Sequence, residues 1–142
     1  MIYFPDVNVW IALYSPGHVH QAAALEWFGS SPESGIAFSR ITQMGFLRLL
    51  TNRHVMGINM LNPASAWQAY DEFLQNARIF FAHEPPSIEK NWRALTEPSD
   101  SGANAWTDAY LAAFANQSGY TLVTFDTQLA RRQHRGARLL KC

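Results

Sequence analysis

The chain has 142 residues, 48% hydrophobic and 15% charged, so it reads as a single domain over residues 1–142 with enough length for a sizeable core. That composition excludes a disordered chain. Eleven basic and 11 acidic residues cancel to a formal net charge of zero, which excludes a global bias toward nucleic acid or membranes.

Met1 to Asp6 predicts a buried strand, with Pro5 near its end because proline is confined to strand edges and termini. Asn8 is expected to cap a short helix over Val9 to Tyr14, followed by a turn at Ser15-Pro16-Gly17. Val19 to Phe28 predicts a helix with Ala22, Leu25 and Phe28 on one face at spacing three. A second strand is expected over Gly35 to Ser39 and a helix over Arg40 to Leu50. Asn62-Pro63, a cap followed by a first-turn proline, starts a helix running to about Asn76. Ile79 to His83 is a third strand, and Pro85-Pro86-Ser87 opens a helix to about Thr96.

Pro98 to Ala103, "PSDSGA", reads as a polar loop. Asn104 is expected to cap a helix through Gln117, with Gly119 just past its end. "TLVTFD", Thr121 to Asp126, is a fourth strand, followed by a short helix over Thr127 to Gln133 and an edge strand over Ala137 to Leu140. Strands alternating with helices imply a mostly parallel sheet of four to five strands inside a three-layer α/β/α sandwich. The five tryptophans are expected to pack in the core, and His18 and His20 read as helix-start residues.

In such sheets, sites form beyond the carboxyl ends of the strands. Asp6 ends the first predicted strand, Asp126 the fourth, and Asp108 falls early in the helix after Asn104. Converging carboxylates repel one another, and a divalent cation removes the conflict. All-oxygen donors favour a hard ion, Mg²⁺ or Mn²⁺. There is no G-x-x-x-x-G-K-[ST] and no G-x-G-x-x-G, so no nucleotide cofactor is expected. A dehalogenase-type phosphatase would need a second aspartate two residues after Asp6, where the chain has Asn8. Five of the basic residues crowd the carboxyl-terminal end, at Arg131, Arg132, Arg135, Arg138 and Lys141. They suggest either a solvated face or a phosphate-contacting rim. Cys142 is the single cysteine, which fits a reducing compartment, and neither a membrane span nor a signal peptide is recognisable. A cytoplasmic protein is the expectation.

"DVNVWIAL", "SRITQMGFLRLLTN", "NAWTDAYLAAFA" and "LVTFD", in that order and spacing, resemble the PIN-domain ribonucleases, and more narrowly the VapC toxins of bacterial toxin–antitoxin pairs. The resemblance implies a Mg²⁺- or Mn²⁺-dependent endoribonuclease, acting on tRNA or other structured RNA. It implies a homodimer and a small VapB-like antitoxin that blocks the site. Asp6, Asp108 and Asp126 match the family's acids, and Asn8, Thr107 and Thr124 its small polar residues around the metal. The family usually has a glutamate in the helix after the second strand, and here that position reads as Gln43, a neutral residue. Arg48 matches a basic family position, and with Arg131 and Arg132 it is expected to contact RNA. A PIN-like module that binds RNA or a partner without cutting is the alternative.

Overall fold

The structure is a computed structural model describing residues 1–98, 102–133 and 136–141. Ser99 to Ser101 of the expected polar loop, Arg135 of the basic stretch and Cys142 lie outside the described residues.

Five strands are described: β1 (Ile2–Pro5), β2 (Gly35–Phe38), β3 (Ile79–Phe81), β4 (Thr121–Thr124) and β5 (Arg138–Leu139). They form one sheet in the order β3-β2-β1-β4-β5, and every pairing is parallel. The helices are α1 (Val7–Tyr14), α2 (Gln21–Ser30), α3 (Arg40–Leu50), α4 (Arg53–Met56), α5 (Pro63–Leu74), α6 (Ile88–Thr96), α7 (Ala105–Ser118) and α8 (Thr127–Arg132).

Two cores explain the three layers. Trp10, Trp27, Phe46, Leu50 and Tyr70 bring α1, α2, α3 and α5 against one face of the sheet, where Phe38 and Val123 point. Ile88, Leu111, Phe114 and Leu129 bring α6, α7 and α8 against the other, where Phe4, Ala37 and Leu122 point. Alternate strand residues thus feed opposite cores, as a doubly covered parallel sheet requires. Trp10 stacks on Phe38 with centroids 3.7 Å apart, and Phe4 on Phe114 at 4.7 Å. α7 lies close to the sheet because Ala109, Ala112, Ala113 and Ala115 supply a buried surface of small side chains.

Several local expectations shift. Asp6, not Asn8, caps α1: its backbone is extended and its side chain accepts from Val9 N–H, so the helix starts at Val7, two residues earlier than expected. α2 buries Ala24 and Trp27 instead of the Ala22 and Leu25 face, because the larger indole takes the core and Leu25 is left 50% exposed. Trp10 and Trp27 are buried, whereas Trp67 and Trp106 are 47% and 62% exposed. Asn52 caps a short helix, α4, that hydrophobic periodicity does not announce. Pro5 is the last residue of β1, and the next bond across to β4 is made by Asp6 N–H to the Val123 carbonyl at 2.9 Å.

Candidate active site at the carboxyl edge of the sheet

The register of β1 against β4 pairs Pro5 with Val123, which brings the next residues, Asp6 and Thr124, side by side. Asp6 is buried at 5% exposure, an expensive place for a carboxylate. Its Oδ2 accepts from the Thr124 hydroxyl, and its Oδ1 accepts from Val9 N–H at 3.2 Å. Thr124 Oγ1 in turn accepts from Asp126 N–H at 2.9 Å. One threonine therefore ties together the two residues that leave β1 and β4.

Burial is the largest influence on Asp6 and pushes its carboxyl up to about 6; the Thr124 bond pulls it back and the Asp126 charge adds to the rise. Asp108, half-buried on the first turn of α7, is also raised, first by burial and then by the Asp126 charge, while Arg132 opposes both. Asp126 is exposed and caps α8 through Oδ1, which accepts from Gln128 N–H at 2.8 Å and Leu129 N–H at 3.3 Å. The three carboxylates thus share one edge, and Asp126 bears electrostatically on the other two. Among the described residues, no three His, Cys, Asp or Glu side chains close into a ready-made ligand set.

A hollow of about 600 Å³ spans this edge between the two helix layers, lined by Asn8 of α1, Thr42, Gly45 and Arg48 of α3, and Thr107 and Asp108 of α7. A second hollow, about 480 Å³, lies on the α6–α7–α8 side with Arg131 and Arg132 in its wall. The carboxylates of this edge are oxygen donors, the kind a hard divalent cation takes, and Asp126 is the one whose charge reaches both of the others.

The sequence profile of the PIN domain matches residues 3–134. Ribonuclease VapC41 of Mycobacterium tuberculosis is 44% identical over 127 residues, which is 86% of this chain and 87% of the relative. The chain belongs to the VapC ribonuclease family of PIN domains. Ribonuclease VapC39 of the same organism is 36% identical over 125 residues, 88% of each chain. Among solved structures, VapBC2 from Rickettsia felis, bound to a DNA fragment from its promoter, matches with a TM-score of 0.72 at 16% identity over 99% of this chain and 100% of that one. M. tuberculosis VapC20, described as a sarcin–ricin-loop-cleaving toxin, matches with a TM-score of 0.70 at 16% identity over 98% and 99%. At those identities the structures show the shared fold.

One expected member of the VapC site sits elsewhere. Gln43 is buried, and its Oε1 accepts from Arg40 Nη1 at 2.6 Å. It shares the buried stripe of α3 with Phe46 and Leu50, and its side chain also faces Tyr70. The stripe that faces the hollow carries Ile41, Gly45 and Arg48. An added Cβ at Gly45 would lie 2.5 Å from Val7 Cγ2, so α1 and α3 are packed as close as a glycine permits. Helical rotation of about 100° per residue separates the two stripes, and a count along the sequence does not show which of them meets the acids.

Of the other expected residues, Asn8, Thr107 and Arg48 are in the hollow's wall and Thr124 is at Asp6, whereas Arg131 and Arg132 line the second hollow. Two asparagines were not anticipated as lining residues, Asn52 and Asn104. Asn104 stands at the N-cap of α7 but makes no side-chain capping bond. Its cap position in the sequence gave it a structural explanation and hid this one.

Proposed function

We propose that the chain, acting as one PIN domain, hydrolyses RNA phosphodiester bonds at Asp6, Asp108 and Asp126 with a divalent cation, Mg²⁺ or Mn²⁺. The observation that supports this most is Asp6: a buried carboxylate, locked by Thr124 and Val9, that feels the charge of Asp126, as Asp108 does too. No folding requirement explains a raised acid there, since Asn would cap α1 about as well.

When bound, the cation would supply Lewis acidity, activating water near neutral pH and offsetting charge on the phosphate oxygens. Asp6 is held in one orientation, so it can meet the cation without first losing conformational freedom. Asp108 approaches from α7, across the hollow from α1. Asp126 adds negative charge at the solvent side. Arg48 reaches the hollow from α3 and would hold a phosphate, while Arg131 and Arg132 on α8 would follow the strand. The substrate is read as a structured RNA with unpaired bases, tRNA included. From its membership of the VapC family, the chain is read as a toxin restrained by a small VapB-like antitoxin, and as a homodimer.

Cleavage of RNA by purified protein with Mg²⁺, Mn²⁺ or EDTA, beside Asp6→Asn, tests this. Metal-dependent cleavage that Asp6→Asn abolishes supports it; cleavage unchanged by that substitution refutes it. The absence of a closed three-acid set among the described residues favours a second reading, an RNA- or partner-binding module that does not cut. That module would shift RNA in a gel and leave it intact at every metal concentration.

A further inference from the structure

We infer that His20 and Phe125 form a stacking site for one unpaired base of the bound RNA strand, beside the carboxylates but outside the hollow that Asp108 lines; the inference rests on the RNA-cleaving reading above. Phe125 sits between Thr124, which bonds Asp6, and Asp126, which caps α8. A base held there is therefore within a nucleotide or so of the reacting edge.

The two rings are stacked, with centroids 4.4 Å apart and planes 17° from parallel. His20 stands at the N-cap of α2. The segment is fixed by its neighbour: His18 Nδ1 accepts from His20 N–H at 3.0 Å. Burial, and then the His20 charge, hold His18 below its ordinary value, which keeps that nitrogen an acceptor. The H-x-H of the sequence is thus a brace and a platform, with His18 setting the backbone and His20 presenting the ring.

Both rings line a hollow of about 330 Å³, completed by Thr127, Leu139, Leu140 and Lys141. That volume lies near the lower bound of small-ligand pockets, roughly 300–1,000 Å³. Its walls decide what fits. Two flat rings and two leucines suit the π-face of a base and offer little to an isolated phosphate. Lys141 gives one cation for the phosphate attached to that base. Aromatic platforms with a basic rim are the general solution for holding single strands.

The experiment follows the ring protons of His20 and Phe125 by NMR in the full chain, without divalent cation, as 5′-UMP, 5′-AMP or base-free ribose 5-phosphate is added. Both nucleotides should shift both rings upfield and saturably, and ribose 5-phosphate should leave them in place. Phe125→Leu should weaken nucleotide binding roughly ten-fold, the scale of one base–aromatic stack. Lys141→Ala, an exposed change that spares the fold, should weaken it less and keep the ring shifts. Equal shifts with ribose 5-phosphate, absence of shifts with the nucleotides, or shifts produced only by a leucine-rich peptide each overturn the inference. With active protein, one abasic nucleotide moved along a short single-stranded substrate should raise KM at one position for the wild type and at none for Phe125→Leu. Equal sensitivity of the two proteins sinks the base site alone, whereas a chain that cuts no RNA with Mg²⁺ or Mn²⁺ removes the ribonuclease reading and leaves the nucleotide titration standing.

Discussion

Asp6 and Asp126 leave neighbouring strands, β1 and β4, and each caps the helix that follows with a carboxylate oxygen. Locally they are the same device, an aspartate turning a parallel strand into a helix. Their surroundings differ. Asp6 is enclosed beneath the Thr124 hydroxyl, and its charge is costly; Asp126 is open to solvent and presses its charge on Asp6 and Asp108. Burial, not the capping motif, is what pushes the Asp6 carboxyl up to about 6.

The contrast breaks most sharply at Asp6 itself. Asp6→Asn should lower cleavage by at least about 100-fold, since even residues that only orient a metal ligand are worth 10- to 100-fold. Single-turnover cleavage of labelled RNA measures it; a loss under ten-fold would remove Asp6 from the centre of the site. Thr124→Val removes the hydroxyl that orients Asp6 and should cost roughly 10- to 100-fold. It should also move the acidic limb of the pH–rate profile upward, because the Thr124 bond is what holds the Asp6 carboxyl down.

Stability offers a third comparison. The folded Asp6 carboxyl titrates at about 6, above its unfolded value, so the folded state binds its proton more tightly. Metal-free protein should therefore be most stable below the unfolded value and lose stability as pH rises from about 4 to 6, by on the order of 2–3 kcal/mol. Asp108, raised in the same direction, adds to the slope. Urea unfolding across that range reads it, and Asp6→Asn should flatten the curve. Mg²⁺ at pH 7.5 should raise the unfolding midpoint of the wild type more than that of Asp6→Asn. The smallest effect is expected at Asp126→Asn. Asparagine caps as well as aspartate, so stability should change by no more than about 0.5 kcal/mol. Relief from the Asp126 charge should lower the midpoint at which Asp6 titrates.

The alternation of strands and helices was legible because each element is short, apolar and punctuated by Gly, Pro, Ser or Asn. The placement of Asp6 and Asp126 at strand ends followed from that. Choosing Asp6 over Asn8 as the cap did not, because both are good caps and only the Val9 N–H geometry separates them. Gln43 was expected at the site and lies on the buried stripe of α3, since the sequence gives the helix but not its rotation about its axis. Leu25 and Trp27 competed for one buried face, and spacing alone did not favour the indole. Asn104, which lines the hollow, was read only as a cap because a sequence shows no cavity.

The close approach of Val7 to Gly45 has a consequence for anyone seeking to add a fourth carboxylate to this edge. Gly45→Glu alone would force the isopropyl group of Val7 and the new side chain into one space, prying two helices apart beneath the acid on which the rest depend. The addition has to begin with a subtraction, Val7→Ala, so that the carved room precedes the charge meant to fill it.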